Sequence, residues 1–191
     1  IKPYPKTQSL DAFIKAKVIL KIGDNITTDH IMPAGAKILP YRSNIPFLSE
    51  FCFKQVKEDF AACCKAEGSG IIIGGSNYGQ GSSREHAALV PLYLGIKSII
   101  TKTFARIHFA NLINAGIVPL TFAQENDYDK IEEGDLLEIC NVKQIIIENG
   151  KLLLVNQTKK ETYQLVCDFS QRQRNILIAG GLLNYTKNHT K

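Results

Sequence analysis

The sequence lacks a long apolar run, a secretion-like segment and any Cys-x-x-Cys pair. These absences argue against a membrane-spanning or secreted protein and against a cysteine-based metal site. The odd number of cysteines does not suit a complete disulfide framework. We expect free, mostly buried thiols at Cys52, Cys63, Cys64, Cys140 and Cys167. We therefore expect a reducing compartment, the cytoplasm or, in a eukaryote, the mitochondrial matrix, and no metal site in the chain.

A run of basic residues is also missing. The formal net charge of +5 arises from 23 basic and 18 acidic residues spread along the chain, without a zinc-finger or basic-helix pattern. Such an excess is typical of an ordinary solvated surface, although positive potential would also attract a polyanionic substrate. The charge pattern therefore argues against a nucleic-acid partner. The missing apolar run argues against a membrane partner.

A length of 191 residues with 45% hydrophobic content is sufficient for one domain with a substantial core. We predict a single domain over residues 1–191, with a linker over 1–15 and a polar tail over 185–191. The first residue is Ile1 and not Met, which suggests a piece of a longer protein or a processed chain. The sequence has no internal repeat and no low-complexity segment.

The most informative stretch is GGSNYGQGSSREH at 74–86, which follows an apolar strand predicted over 70–73. Its glycines let the backbone come close to a ligand. A helix predicted to begin near Ser82 or Ser83 would present unpaired N–H groups and the positive end of its dipole. Arg84 adds an always-charged fork that can bind a carboxylate through two parallel hydrogen bonds. The stretch therefore predicts a site for an acidic small molecule.

The paired serines have two interpretations. A serine at a helix start is most often a cap, with Glu85 or His86 in the first turn. A serine hydroxyl acts as a base only where nearby groups stabilise its oxyanion, as a helix N-terminus and the Arg84 guanidinium would. Two commoner glycine-rich motifs are excluded, because the stretch has neither the Gly-Lys-Ser/Thr of a P-loop nor the Gly-x-Gly-x-x-Gly of a dinucleotide fold.

Strand and helix patterns alternate through the first two thirds of the chain. Strands are predicted at 16–22, 70–73, 98–102 and 117–122, and helices at 59–67, after the loop, and at 104–114. The alternation implies parallel strands with the loop at a carboxyl end. On the last helix, we expect Arg106 and His108 to make hydrogen-bonded packing behind the loop. Short strands follow, among them 144–148, with a hairpin turn at 148–151 and a final helix capped by Ser170.

Five distinct motifs follow one another along the chain. They are TTDHI at 27–31, PAG at 33–35 with Arg42 beyond it, GQGSSREHAAL at 79–89, IITKTFARIH at 99–108 and NLINAGIVPLTF at 111–122. From about residue 23 to residue 180 the chain resembles the C-terminal swivel domain of aconitase, in the aconitase and isopropylmalate isomerase family. The resemblance implies an α/β fold, a swivelling β/β/α three-layer domain with a mixed, partly parallel sheet and flanking helices.

The resemblance also implies an activity, the interconversion of citrate and isocitrate through cis-aconitate by dehydration and rehydration. In the family the base is a serine alkoxide of this motif, and we expect Ser82 to take that role. Ser83 and Arg84 would hold the substrate, and Arg42 would grip a further carboxylate. Asp29 is expected to face the active site as a second catalytic residue.

Aconitases remove hydroxide with one iron of a [4Fe-4S] cluster as Lewis acid. The resemblance implies that the cluster is ligated outside this chain, so we expect no activity without the cluster-bearing domains of the same polypeptide or a large subunit. Two alternatives stay open. The chain could be the small subunit of a related hydro-lyase, 3-isopropylmalate or homoaconitate isomerase, or a non-catalytic anion- or RNA-binding module.

Overall fold

The computed structural model describes residues 8–36 and 38–189, and within them seven strands close into a barrel. In order around the barrel the strands are β1 (Ile14–Ile22), β2 (Gly70–Gly74), β3 (Ile96–Thr101), β4 (Val118–Phe122), β7 (Glu161–Val166), β6 (Leu152–Asn156) and β5 (Leu136–Ile139). Strands β1 to β4 pair in parallel, whereas the other pairings, including that of β5 with β1, are antiparallel. The predicted mixed, partly parallel sheet is confirmed. The closure into a barrel was not predicted.

Helices flank this sheet. They are α1 (Thr28–Ile31), α2 (Ile45–Leu48), α3 (Phe60–Glu67), α4 (His86–Tyr93), α5 (Arg106–Ala115), α6 (Asp127–Lys130), α7 (Val142–Glu148), α8 (Gln171–Ala179) and α9 (Leu182–His189), with 3-10 turns at Leu39–Tyr41 and Ser49–Phe51. Helices α3, α4 and α5 connect the parallel strands, as the alternating pattern predicted. No helix of the described residues is long and apolar enough to cross a membrane.

Alternate strand residues go to two different buried clusters. On β2, Ile71 and Ile73 belong to a cluster that draws on every strand, whereas Ile72 belongs to one that packs β1 to β3 against α3, α4 and α5. All five residues of β2 are buried, which confirms its predicted central position. Each fully buried isoleucine contributes on the order of 2 kcal/mol to the free energy of unfolding. The strand that leads into the loop is therefore held firmly on both faces.

The predicted strand at 144–148 is wrong, because this segment lies in α7. Its run of isoleucines is typical of a strand, but Val142 and Ile146, four residues apart, are the two that become buried. Tertiary packing of one helical face thus overrides the local β propensity. The predicted hairpin at 148–151 is wrong for the same reason. Asn149 instead takes a left-handed conformation, φ 55°, that ends the helix.

The ends of the chain carry more structure than their polarity suggests. Helix α8 begins at the predicted cap, where the Ser170 hydroxyl accepts a hydrogen bond from the Gln173 N–H. Helix α9 then covers much of the predicted polar tail, 185–191, of which 190–191 lie outside the described residues. In the predicted linker, residues 1–7 also lie outside the described residues. The Leu10 N–H donates to the Ile178 carbonyl at 3.1 Å, and β1 has begun by residue 14.

Candidate active site

The glycine-rich loop lies at the carboxyl ends of the parallel strands, as predicted. The Gly75 N–H donates to the Ile22 carbonyl at 3.0 Å, and the Asn25 N–H donates to the Ser76 carbonyl at 2.8 Å. These hydrogen bonds tie the start of the loop to the end of β1. Functional loops are commonly found at this edge of an open or closed parallel sheet.

Tyr78 anchors the middle of the loop to the segment that precedes α5. Its N–H donates to the Thr103 carbonyl at 3.0 Å, and its carbonyl accepts from the Ala105 N–H at 2.9 Å. The side chain is fully buried, and its ring packs edge-on against Phe104 with the centroids 5.9 Å apart. The loop is thus fixed to the segment that begins α5.

Gly79 is the position at which the loop requires glycine. Its φ of +84° lies in the left-handed region, and a Cβ there would come within 2.2 Å of Cδ2 of the His108 ring. His108 therefore packs directly behind the loop, as predicted. Neither of its ring nitrogens has a hydrogen-bond partner among the described residues, so the predicted hydrogen bonding is not observed.

The serines are not helix caps. Helix α4 begins at His86 with Glu85 at the capping position, so the prediction of a helix start near Ser82 or Ser83 is wrong. Residues 82–84 are not helical, and the buried Thr28 donates its hydroxyl hydrogen to the Ser82 carbonyl at 3.1 Å. Both serine residues are exposed. Their hydroxyls are consequently accessible to a ligand.

Arg84 is held by α1. Its Nη1 donates to Oδ1 of Asp29 at 2.6 Å and to the Met32 carbonyl at 3.0 Å, and the arginine side chain is only 18% exposed. The hydrogen bond from Arg84, followed by its charge, lowers the pKa of the Asp29 carboxyl. Among the described residues, Nε and Nη2 of Arg84 have no hydrogen-bond partner. The fork is therefore oriented by one nitrogen and open at the other two.

Arg42 comes to the same place from a different part of the chain. A cavity of about 200 Å³ is lined by Met32, Pro33, Ala34, Ile38, Arg42, Leu48, Arg84 and His86. The two arginines thus share one small pocket, whose remaining wall is mostly apolar. Ser82 and Ser83 do not line it but precede Arg84 on the loop. Such an arrangement can bind an acid through more than one carboxylate.

A larger groove of about 640 Å³ lies beside this pocket. It is lined by Pro40, Tyr41, Ser43, Asn44, Pro46, Phe47 and Glu50. Its only charged side chain among the described residues is Glu50, and no basic side chain lines it. The smaller pocket is therefore the better candidate for an anionic ligand.

Comparisons with known proteins show the family of this chain. The profile of the aconitase C-terminal domain matches residues 53–125. The methanogen homoaconitase small subunit of Methanocaldococcus jannaschii is 36% identical over 170 residues, which cover 87% of this chain and 88% of that subunit. The chain belongs to the aconitase family. A crystal structure of a 3-isopropylmalate dehydratase from the same organism matches with a TM-score of 0.75 and 33% identity, covering 93% of this chain and 95% of the other.

Longer members of the aconitase family also match. The probable mitochondrial aconitate hydratase of Dictyostelium discoideum is 34% identical over 212 residues, which cover 98% of this chain. The chain spans only 27% of the length of that relative. These matches establish the family of this chain.

The family's iron–sulfur cluster does not fit the described residues. Among them, no group of three or more His, Cys, Asp or Glu side chains is placed to hold a metal ion. Cys52 and Cys64 are buried, and burial raises the pKa of the Cys64 thiol to about 12. A cluster ligand must be a thiolate, which such burial disfavours.

Burial also determines the charge of His108 behind the aconitase-family loop. The side chain is 1% exposed, and desolvation lowers its pKa to about 4. In an unfolded chain the pKa of histidine is about 6.5. The folded protein therefore keeps this ring neutral over a pH range in which the unfolded chain binds a proton.

We expect this difference to make the free energy of unfolding fall by about 3 kcal/mol as the pH drops from about 6.5 to about 4. The free energy of unfolding falls because, in that pH range, His108 binds a proton in the unfolded chain but not in the folded protein. Replacement His108→Gln should remove this part of the pH dependence. Urea unfolding of both proteins between pH 7 and pH 4 measures it, because other titrating groups cancel in the difference. Parallel pH curves would contradict the prediction.

Two residues of the site were missed at the level of sequence. Thr28 holds the Ser82 carbonyl, and His86 contacts the Arg42 carbonyl at 2.8 Å while it lines the arginine pocket. The sequence indicated no role for Thr28 beyond its place next to Asp29 in the TTDHI motif. His86 was interpreted as a first-turn residue, because no sequence pattern reports a contact with a distant backbone carbonyl.

Proposed function

We propose that this domain binds a polycarboxylic hydroxy acid and supplies the base for its dehydration and rehydration. The observation that carries the proposal is the convergence of Arg42 and Arg84 on one pocket, beside a loop that exposes Ser82 and Ser83. Two guanidinium groups suit a substrate with at least two carboxylates. Membership of the aconitase family supports a hydro-lyase.

Ser82 is the base in this proposal. The difficult step is removal of a proton from a carbon next to a carboxylate, which develops negative charge that must be stabilised. The hydrogen bond from Thr28 fixes the Ser82 backbone, and Arg84 follows two residues later. Ser83 would bind the substrate beside it. The guanidinium charge of Arg84 would favour the ionised form of the base.

In place of the catalytic role expected from the sequence, we propose that Asp29 is a positioning residue in this scheme. Its side chain is 64% exposed and already bonded to Arg84, so its contribution is to hold the arginine fork towards the pocket. The open Nε and Nη2 would then make the paired hydrogen bonds to a substrate carboxylate.

We expect Asp29→Asn to raise KM about tenfold with a smaller effect on kcat, because a neutral amide holds the Arg84 fork less firmly. The lowered pKa of Asp29 keeps this carboxylate ionised at neutral pH, so the effect should be present there. Steady-state kinetics of the assembled enzyme measure it. Glu50→Gln removes an exposed carboxylate that pairs with Lys65, outside the arginine pocket, and serves as the matched control. An equal KM for Asp29→Asn and wild type would refute this role.

A cluster-bearing part must complete the site in this proposal. A [4Fe-4S] cluster, ligated outside the described residues, would supply the Lewis acid that accepts the departing hydroxide. It would belong to further domains of the same polypeptide or to a large subunit. The names of the matched small subunits imply a large-subunit partner in those proteins.

Citrate and isocitrate, interconverted through cis-aconitate, are the first substrates that we propose. The likeness to the Dictyostelium hydratase over 98% of this chain supports them. A second candidate is the small subunit of a 3-isopropylmalate or homoaconitate isomerase. It has at least equal support, because the 3-isopropylmalate dehydratase small subunit 1 of Thermotoga maritima is 37% identical and is covered over 93% of its length.

The test is hydro-lyase activity of this chain joined to, or co-expressed with, its cluster-bearing part. Citrate, isocitrate, homocitrate and 3-isopropylmalate should be compared, with formation of the unsaturated intermediate followed by absorbance. We expect the complete assembly to convert one of these substrate classes, and this chain alone to convert none. Absence of turnover with every substrate, in an assembly whose cluster is verified spectroscopically, would reject the proposed function.

A further inference from the structure

The place of Arg42 in the fold is set by the segment that carries it. It lies in a turn in which the Asn44 N–H donates to the Tyr41 carbonyl at 2.7 Å, within an irregular segment between α1 and α2. Arg42 itself is exposed. Among the described residues it forms no salt bridge. The turn also has a local contact, between the rings of Tyr41 and Phe47 with the centroids 4.5 Å apart, and a contact from another element would fix it relative to the pocket.

His86 makes that contact. Its Nε2 lies 2.8 Å from the backbone carbonyl oxygen of Arg42. Since a carbonyl oxygen only accepts hydrogen bonds, Nε2 must carry the hydrogen and donate it. His86 is also the first residue of α4, whose next residues, Ala87 and Ala88, are buried in the core. The donor thus comes from a firmly packed helix.

We propose that His86 is a positioning residue, which holds the Arg42 turn against α4 and so keeps the second guanidinium beside Arg84. Both arginines and His86 line the same pocket, which makes the contact part of the site's wall. The inference rests on the proposed function in so far as Arg42 binds a substrate carboxylate. It assigns no proton transfer to the histidine.

Kinetics of the assembled enzyme test whether the contact of His86 with the Arg42 turn affects substrate binding. His86→Leu should raise KM about fivefold, the size expected for loss of one neutral hydrogen bond, with kcat changed less than twofold. His86→Gln, whose amide N–H can reach the same carbonyl, should restore KM to within about twofold of wild type. In an Arg42→Ala background, His86→Leu should add nothing to KM, because no guanidinium remains to be positioned.

Two measurements on the folded chain are independent of activity. Nitrogen-15 NMR should show the tautomer of His86 with hydrogen on Nε2. Amide hydrogen exchange at Asn44, whose N–H closes the turn, should be faster in His86→Leu and protected in His86→Gln. If the complete assembly converts no substrate, the proposed function fails while these two measurements still decide the contact.

The expected tautomer, faster Asn44 exchange in His86→Leu and a KM effect that vanishes without Arg42 would together establish the positioning role. A hydrogen on Nδ1, or unchanged exchange at Asn44, would overturn it whatever the activity. A KM increase of the same size in the Arg42→Ala background would also overturn it, because His86 would then act on the substrate by another route.

Discussion

Ser82→Ala is expected to lower kcat of the assembled enzyme by about a thousandfold, with little change in KM. The magnitude is that of a general base whose proton transfer is lost, which is typically worth about 10² to 10⁴ in rate. Ser82 is exposed and its contact with Thr28 uses the backbone carbonyl, so the substitution leaves the fold in place. The free energy of unfolding should stay within about 0.5 kcal/mol of wild type. Absorbance of cis-aconitate, or of the corresponding intermediate, gives the rate.

Ser83→Ala is the matched control, because the two serines are neighbours and both are exposed. In the proposed scheme Ser83 binds the substrate, so its loss should raise KM more than it lowers kcat. The opposite pattern, with Ser82→Ala active and Ser83→Ala inactive, would transfer the base to Ser83. Full activity in both variants would remove the serines from the mechanism.

Gly79→Ala is expected to lower the free energy of unfolding by about 4 kcal/mol. One part is the positive φ of +84°, which costs a residue with a side chain on the order of 1–2 kcal/mol. The other is the added Cβ, which would lie 2.2 Å from the buried ring of His108 and force the loop or the ring to move. Urea unfolding at neutral pH measures the change.

Two further variants separate the steric part from the backbone part. In an His108→Ala background, Gly79→Ala should cost about 2 kcal/mol less than in wild type, which is the coupling between the two sites. Gly81→Ala keeps a positive φ, +108°, but its nearest neighbour is Oγ1 of Thr28 at 3.3 Å. It should show the backbone cost with a smaller steric part, because this contact is tight but 1.1 Å longer than the one to His108. Equal destabilisation by Gly79→Ala and Gly81→Ala would disprove the role of His108 as the support of the loop.

The parallel half of the fold was predictable because local patterns are strong there. The uninterrupted apolar run of β2 predicts a buried central strand whatever residues flank it. Gly68, with φ 73°, likewise predicts the end of α3. The later part was less predictable. In α7, three consecutive isoleucines favour a strand, and only the burial of Val142 and Ile146 on one helical face decides for a helix. Barrel closure depends on the pairing of β1 with β5, which no local pattern reports.

The sequence by itself determined the aconitase-family motif and the chemical types of the candidate site residues. Glycines, serines and an arginine in that order led us to predict a site for an acidic small molecule. Only the tertiary structure decided that Asp29 orients Arg84, that Thr28 holds the Ser82 backbone and that Arg42 reaches the same pocket. The physical reason is that these contacts join residues far apart in the chain, and their distances are set by the barrel and its flanking helices together.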